Sequence, residues 1–131
     1  MHSTLKTTGL KASLILYIRN IVMILMGVSG LLLKRWVSST ISQIAYSYWG
    51  NITASFAVYF LVNNAAQNRV KGFIIGLISL AIVQSFELTN GFGVMTNVYD
   101  PFDYLANALG ISLAYMVDAI STRMILARKS R

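Results

Sequence analysis

Hydrophobic residues along this chain gather in four long runs, which polar or basic segments separate. The runs cover residues 12–33, 44–62, 72–89 and 103–124. A helix needs about 20 mostly apolar residues to cross the roughly 30 Å of hydrocarbon in a bilayer. The pattern therefore predicts an all-α membrane protein with four transmembrane helices. Because the connecting segments are short, we expect neighbouring helices to run antiparallel, in one up-down-up-down bundle that forms a single domain over residues 1–131.

The composition agrees with a membrane setting. Of the 131 residues, 56% are hydrophobic and only 11% are charged, whereas soluble proteins have about 25% charged residues. The first run is longer than the apolar part of a signal peptide, so we expect it to remain as the first span. The sequence contains no cysteine, which excludes disulfides and thiolate metal sites.

The basic residues indicate how the helices are oriented. The chain carries a formal net charge of +7, but its Lys and Arg residues lie at the ends of the apolar runs, which argues against a nucleic-acid partner. With the N-terminus in the cytoplasm, the outside has only Lys34 and Arg35. The cytoplasmic side then has eight basic residues, Lys6, Lys11, Arg69, Lys71, Arg123, Arg128, Lys129 and Arg131. The positive-inside rule thus predicts that both termini are cytoplasmic.

These features predict a multi-pass protein of the inner or plasma membrane. Its first partner is the lipid bilayer, and homo-oligomerisation stays open.

An acidic stretch at residues 87–110 contrasts with this basic background. It holds three of the four acidic residues, the single proline and no Lys or Arg. A helical rise of about 1.5 Å per residue brings Glu87, near the end of the third run, and Asp103, at the start of the fourth, to the same outer level. Tyr48 and Asn51, near the start of the second run, reach a similar level. A polar cluster is therefore predicted at the outer end of the bundle.

The start of the fourth run places several polar residues on one helix face. Asp103 and Asn107 are four residues apart and therefore stack, with Gly110 one turn below them. Pro101 suits the first turn of a helix. A carboxylate just before or within the first turn of a helix can also be purely structural, as an N-cap that accepts backbone N–H groups. This alternative stays open for Asp100.

The spacing of these residues resembles that of the VanZ-like family of small membrane proteins. The family pattern D-x-x-D-x-x-x-N-x-x-G is complete over residues 100–110, and an acid lies near the end of the preceding apolar run. Two positions depart from the pattern, because Asn90 stands where Gln is usual and Asn97 where Arg is usual. The site residues that the resemblance implies are Glu87, Asn90, Asp100, Asp103, Asn107 and Gly110.

The function that this resemblance implies belongs to the cell envelope. The family is named for a protein associated with resistance to the glycopeptide antibiotic teicoplanin, and it implies no particular reaction. It favours a non-enzymatic protein whose outward-facing acidic and amide site binds an envelope component or a glycopeptide.

Two other classes of function stay open. Carboxylate and amide oxygens are hard ligands that suit Mg²⁺ or Ca²⁺, and Glu87, Asp103 and Asn107 are the residues that would hold such an ion. A small membrane enzyme would use that ion to hold the phosphate of a lipid-linked substrate, or would use one acid directly as a general acid or base. A small transporter is the third class, although apolar residues such as Ile111 separate the outer polar residues from the inner ones.

A second polar set lies deeper in the apolar runs. Arg19 and Asn20 interrupt the first run, and Asp118 interrupts the fourth at a similar distance from the cytoplasmic end. A charge at membrane depth is costly unless it has a partner, although a long arginine side chain can also reach the interface. We therefore predict an intramembrane ion pair between Arg19 and Asp118.

Overall fold

The computed structural model describes residues 2–37, 43–89 and 100–128, which are helical apart from short connections. The elements are, in chain order, α1 (His2–Leu32), the one-turn α2 (Lys34–Val37), α3 (Gln43–Ala65), α4 (Gly72–Leu88) and α5 (Pro101–Ala127). The prediction of an all-α fold is confirmed by these four long helices.

The helix limits differ from the predicted spans at three places. α1 begins at His2, well before the apolar run, because a helix continues through polar residues where no proline breaks it. α5 begins at Pro101, since the side chain of Asp100 caps its first turn. The short α2 follows a turn at Leu33 and was not predicted, because a single helical turn leaves no periodic pattern in the sequence.

α3 is the central helix of the bundle, and each of the other three long helices packs against it. α1 runs antiparallel to α3: Trp49 Nε1, near the start of α3, donates to the carbonyl oxygen of Gly30 at 2.8 Å. Further along α3, the guanidinium of Arg19, from the middle of α1, lies 5.7 Å from the ring centre of Phe60. α4 follows α3 through a short connection and packs against both α3 and α5.

The hydrophobic core is small and lies where α3, α4 and α5 meet. It consists of Tyr59, Phe60, Ile75, Ile111 and Ala114. Several polar side chains are also buried, namely those of Arg19, Asn20, Ser55, Asn63, Ser79, Asn107 and Asp118. Large hydrophobic side chains, in contrast, are exposed along the outer faces of α1, α4 and α5, among them Leu14, Ile18, Leu25, Phe73, Leu77, Leu105, Leu109 and Met116.

Two described segments are long and apolar enough to cross a membrane, Leu10–Leu32 and Pro101–Ala127. Helix Gly72–Leu88 is apolar but shorter. Its 17 residues extend over about 25 Å. α3 is long enough, but it carries polar side chains such as Asn51, Ser55 and Asn63 along its length. Because α3 lies at the centre of the bundle, its polar side chains can face the other helices.

Candidate functional site

Three hydrogen bonds join α3 to α5 along one end of the bundle. Tyr48 Oη donates to Asp100 Oδ2 at 2.8 Å and Asn51 Nδ2 donates to Asp103 Oδ1 at 2.6 Å. Deeper in the bundle, Ser55 Oγ donates to Asn107 Oδ1 at 2.7 Å. We call these three pairs the polar ladder.

The ladder shows that α3 and α5 run parallel. Each pair is separated by 52 residues in the sequence, so both helices advance together from one pair to the next. Donors lie on α3 and acceptors on α5 in all three pairs. Because successive positions differ by three or four residues, Tyr48, Asn51 and Ser55 lie on one face of α3. On the facing side, Asp103 and Asn107 lie on one face of α5, below its N-cap residue Asp100.

Asp100 has a structural role at the start of α5. Its Oδ1 accepts the backbone N–H of Phe102 at 2.9 Å, while its Oδ2 accepts the hydroxyl of Tyr48. Pro101 follows at the first helical position, where the missing N–H of proline costs nothing. Both carboxylate oxygens of Asp100 are therefore engaged by protein donors, and the N-cap alternative describes the geometry of this residue.

Glu87 meets the ladder from α4. Asn107 Nδ2 lies 3.5 Å from Glu87 Oε1, a long hydrogen bond between α5 and α4. A second hydrogen bond joins the same two helices, because Gln84 Nε2 donates to the backbone oxygen of Tyr104 at 3.3 Å. The structure thus brings Glu87, Asp103 and Asn107 to one end of the bundle. Asn90, the remaining predicted site residue of this group, lies outside the described residues.

Gly110 lies where α3 and α5 come closest. A Cβ added at Gly110 would overlap the carbonyl oxygen of Ile52 and would lie 3.0 Å from the Cβ of Ser55. Only glycine permits this approach of the two backbones. Gly110 therefore belongs to the helix contact beneath the ladder.

The geometry of the ladder bears on the predicted divalent ion. The side-chain oxygens Asp103 Oδ1 and Asn107 Oδ1 each accept a hydrogen bond from α3, and Asn107 approaches Glu87 with its amide nitrogen, which is a donor and not a metal ligand. Within residues 2–37, 43–89 and 100–128, no group of three or more His, Cys, Asp or Glu side chains is arranged to hold a metal ion. The described residues therefore offer acceptors for a hydrogen-bond donor or a cation, without a preformed Mg²⁺ or Ca²⁺ ligand set.

Arg19 and Asp118 form a second polar site, towards the other end of α3. Arg19 Nη2 lies 2.7 Å from Asp118 Oδ1, and the two side chains are only 7% and 12% exposed. Arg19 also donates to the hydroxyl groups of Ser121 and Thr122 at 2.9 and 2.7 Å. Arg19 further donates from Nη2 to Asn20 Oδ1 at 2.6 Å and from Nη1 to the carbonyl oxygen of Asp118 at 3.4 Å. The guanidinium of α1 is thus bound to α5 by charge and by several hydrogen bonds.

The second oxygen of Asp118 is held by α3. Tyr59 Oη donates to Asp118 Oδ2 at 2.8 Å and lies 3.4 Å from the carbonyl oxygen of Gly72. Tyr59 itself is fully buried. A buried ion pair needs such additional hydrogen bonds to offset the loss of water around both charges. We refer to Arg19, Asn20, Tyr59, Asp118 and Thr122 as the ion-pair network.

The connection between α3 and α4 is tied to this network. Asn20 Nδ2 donates to Asn68 Oδ1 at 3.0 Å, and Asn20 is fully buried. Gln67 and Asn68 have positive φ angles of 53° and 55°, a conformation that asparagine adopts more readily than most residues. The contact with Asn20 therefore fixes a tight, left-handed turn just before α4.

Sequence patterns had indicated part of this arrangement. Tyr48 and Asn51 were expected at the level of the acidic stretch, whereas Ser55, Tyr59 and Thr122 were not identified. A signal for Ser55 was present, because the spacing of positions 48, 51 and 55 repeats that of positions 100, 103 and 107. Tyr59 and Thr122 gave no comparable signal, since a tyrosine or threonine within an apolar helix is ordinary.

Comparisons of the chain with protein-family models, with characterised proteins and with solved structures give no match. The resemblance to the VanZ-like family therefore stays a prediction from the spacing of residues 87–110.

Proposed function

We propose that the protein spans a cell membrane four times and acts at its outer face as a VanZ-like binding protein of the cell envelope. One observation supports the membrane setting above all: the polarity of the bundle is reversed. Charged and amide side chains such as Arg19, Asn20 and Asp118 are buried, whereas large hydrophobic side chains cover the outer faces of the helices. A surface of this kind is suited to lipid, and polar residues inside a membrane bundle are expected to face other helices.

This reversal also explains how α3 serves as a span. Its polar side chains donate to α5 along the ladder and to Asp118, so they are not presented to hydrocarbon. α4 is shorter than the average bilayer core, and a short span is accommodated by local thinning of the bilayer. The proposed orientation has both termini in the cytoplasm, because eight of the ten basic residues other than Arg19 then lie on that side.

The absence of cysteine allows a direct test of this orientation. Single cysteines placed by Ser39→Cys, between α2 and α3, and by Gln67→Cys, between α3 and α4, are to be labelled in intact cells with a membrane-impermeant maleimide. We expect labelling of the Ser39→Cys variant alone, and labelling of both after permeabilisation. The opposite pattern would show an inverted orientation, and labelling of both sites in intact cells would exclude the four-span arrangement.

The binding role is carried by the outer end of the polar ladder. Asp103 and Glu87 bring two carboxylates to this end, and the third acid, Asp100, is engaged as a helix cap. Such a site is suited to an ammonium or amide group of an envelope component, or to a glycopeptide, which carries both. A transport path has less support, since the core of Phe60, Ile75 and Ile111 separates the ladder from the ion-pair network.

Teicoplanin is used to test the possibility that the site binds a glycopeptide, which we call the glycopeptide branch. Wild type, Asp103→Asn and Glu87→Gln are to be expressed in a teicoplanin-sensitive host, and the minimum inhibitory concentration and the amount of membrane-inserted protein measured for each. Asp103→Asn keeps the acceptor for Asn51 and removes only the charge. We expect protection by the wild type and loss of protection in both variants. Ser112→Ala serves as the control and should protect like the wild type, because its hydroxyl lies on an exposed face of α5.

Two results would contradict the glycopeptide branch. One is a wild-type protein that inserts normally and gives no protection. The other is protection that persists in Asp103→Asn and Glu87→Gln at equal protein levels.

A further inference from the structure

A cavity opens beside the start of α4, at the end of the bundle opposite the polar ladder. It has a volume of about 310 Å³, and its lining includes Asn63 of α3, Asn68 of the connection that follows, Gly72 of α4, and Asp118, Thr122 and Arg123 of α5. Ligand sites in proteins begin at about this size. Neither the ladder nor its proposed ligand involves this cavity.

Asn63 is the first sign that the cavity holds a ligand. Its residue is 3% exposed, and it lines the cavity. Its side-chain amide makes no hydrogen bond within the described part of the chain, and its polar atoms are not completely enclosed by protein, so they can be reached from the cavity. An amide that is buried, unpaired and placed on the wall of a cavity has its donors available for a bound group.

The start of α4 is the second sign. Lys71, the residue before the helix, gives no side-chain cap, and among the described residues the backbone N–H groups of Gly72 and Phe73 have no acceptor. The first bonds of the helix come from Ile74 and Ile75, which both donate to the carbonyl oxygen of Lys71. Uncapped N–H groups at a helix start, together with the helix dipole, form a favourable position for an anion. Gly72 lies on the cavity wall.

The charges around the cavity also favour an anion. Asp118 is the one acidic residue on its wall, and its charge is balanced by Arg19 at 2.7 Å and screened further by the hydroxyl of Tyr59. Arg123 then supplies an unbalanced positive charge at the cavity, since the described residues place no carboxylate within ion-pair distance of it. Arg69 and Lys71, on either side of the lining residue Val70, are exposed and add to the positive potential.

We propose that this cavity binds a phosphate group, held by the N–H groups at the start of α4, the amide of Asn63 and the guanidinium of Arg123. Arginine and a helix N-terminus together match the geometry and charge of phosphate oxygens. The phosphate belongs either to the headgroup of an anionic lipid or to a soluble phosphate compound. The site does not depend on the function proposed for the polar ladder.

The test uses the full-length protein in dodecyl maltoside, a detergent without phosphate. Thermal unfolding is to be measured with added phosphatidylglycerol, with diacylglycerol, which has the same tails and no phosphate, and with inorganic phosphate. Retained lipid is to be counted by native mass spectrometry. We expect phosphatidylglycerol to be retained and to raise the unfolding temperature, and diacylglycerol to have no such effect. An equal response to inorganic phosphate would assign the site to soluble phosphate compounds, and a response to the lipid alone would assign it to headgroups.

Matched variants separate this site from general attraction between a basic protein and an anionic lipid. Arg123→Gln and Arg128→Gln each remove one exposed positive charge from the end of α5, but only Arg123 lines the cavity. We expect Arg123→Gln to raise the half-saturating phosphate or lipid concentration about tenfold, and Arg128→Gln to leave it unchanged. Asn63→Asp, which adds a negative charge to the wall, is expected to abolish binding.

The site is disproved if neither phosphatidylglycerol nor phosphate binds the wild type. Equal losses in Arg123→Gln and Arg128→Gln would also overturn it, because binding would then follow the net charge of the helix end. Both arginines are exposed, so these two variants are expected to fold and the comparison holds even where Asn63→Asp does not fold.

Discussion

Ser55 Oγ donates a 2.7 Å hydrogen bond to Asn107 Oδ1, and both residues are almost completely buried between α3 and α5. This pair is the deepest of the polar ladder and lies one turn from the close contact at Gly110. A buried polar pair of this kind holds two helices in one register, because sliding either helix by one position would leave both groups without a partner.

Ser55→Ala is expected to destabilise the protein by about 1 kcal/mol, since the oxygen of Asn107 loses its donor inside the bundle. The free energy of unfolding is to be measured in mixed micelles by circular dichroism as the denaturing detergent is increased. Ser112→Ala serves as the control, because that hydroxyl is exposed and bonds only to Ala108 of its own helix. Equal effects of the two substitutions would show that the Ser55–Asn107 bond contributes nothing to stability.

Gly110→Ala and Gly76→Ala are expected to have opposite effects. A Cβ at Gly110 overlaps the backbone of Ile52, so α3 and α5 must move apart at a cost of about 1–3 kcal/mol. At Gly76 the nearest side-chain atoms would be 3.7 and 3.9 Å away, an ordinary contact, and alanine favours the helix by up to about 1 kcal/mol. Unfolding of the two variants in the same detergent series provides the comparison. A Gly110→Ala protein as stable as Gly76→Ala would mean that the helix contact is looser than the structure shows.

The sequence was sufficient to predict the four long helices, because apolar runs of this length have few alternatives. Counting residues along each helix also indicated that Glu87 and Asp103 lie at the same end of the bundle, since the rise per residue of a helix is nearly constant. A residue count does not give the rotation of α5 about its own axis. That rotation decides whether the side chain of Asn107 faces Ser55, Glu87 or lipid. The identity of the donors on α3 therefore depended on the packing of α3 against α5.

The cavity beside α4 was beyond sequence reasoning for a related reason. Asn63 and Asn68 look like ordinary polar residues of a connection between helices. Their burial follows from the left-handed turn at Gln67 and Asn68, which folds the connection back against Asn20. A turn of this type usually uses glycine, which is absent here, so no local pattern predicted it.

Substitutions of Asp100 distinguish a helix cap from a charged binding group. Asp100→Ala removes the acceptor for Phe102 N and is expected to cost about 1 kcal/mol of stability. Asp100→Asn keeps a side-chain oxygen for the cap and removes the charge, so its unfolding free energy and its activity in the teicoplanin assay should both stay close to those of the wild type. A loss of protection in a stable Asp100→Asn protein would instead assign the charge of Asp100 to the binding site.

Replacing either residue of the ion pair between Arg19 and Asp118 is expected to cause the largest loss of stability among these predictions. Arg19→Gln leaves a buried carboxylate with only neutral donors, and Asp118→Asn leaves a buried guanidinium without a counter-charge, so each is expected to cost about 3–5 kcal/mol. The double variant Arg19→Gln/Asp118→Asn has no unpaired charge and retains amides that can bond with Tyr59 and Thr122. It should therefore be more stable than either single variant.

The amount of folded protein in membranes and the unfolding free energy in detergent are to be measured for all four proteins, which form a double-mutant cycle. If the two single costs simply add in the double variant, or if Asp118→Asn folds like the wild type while Arg19→Gln does not, Arg19 is held by its hydroxyl and amide partners and the pairing with Asp118 carries no stability.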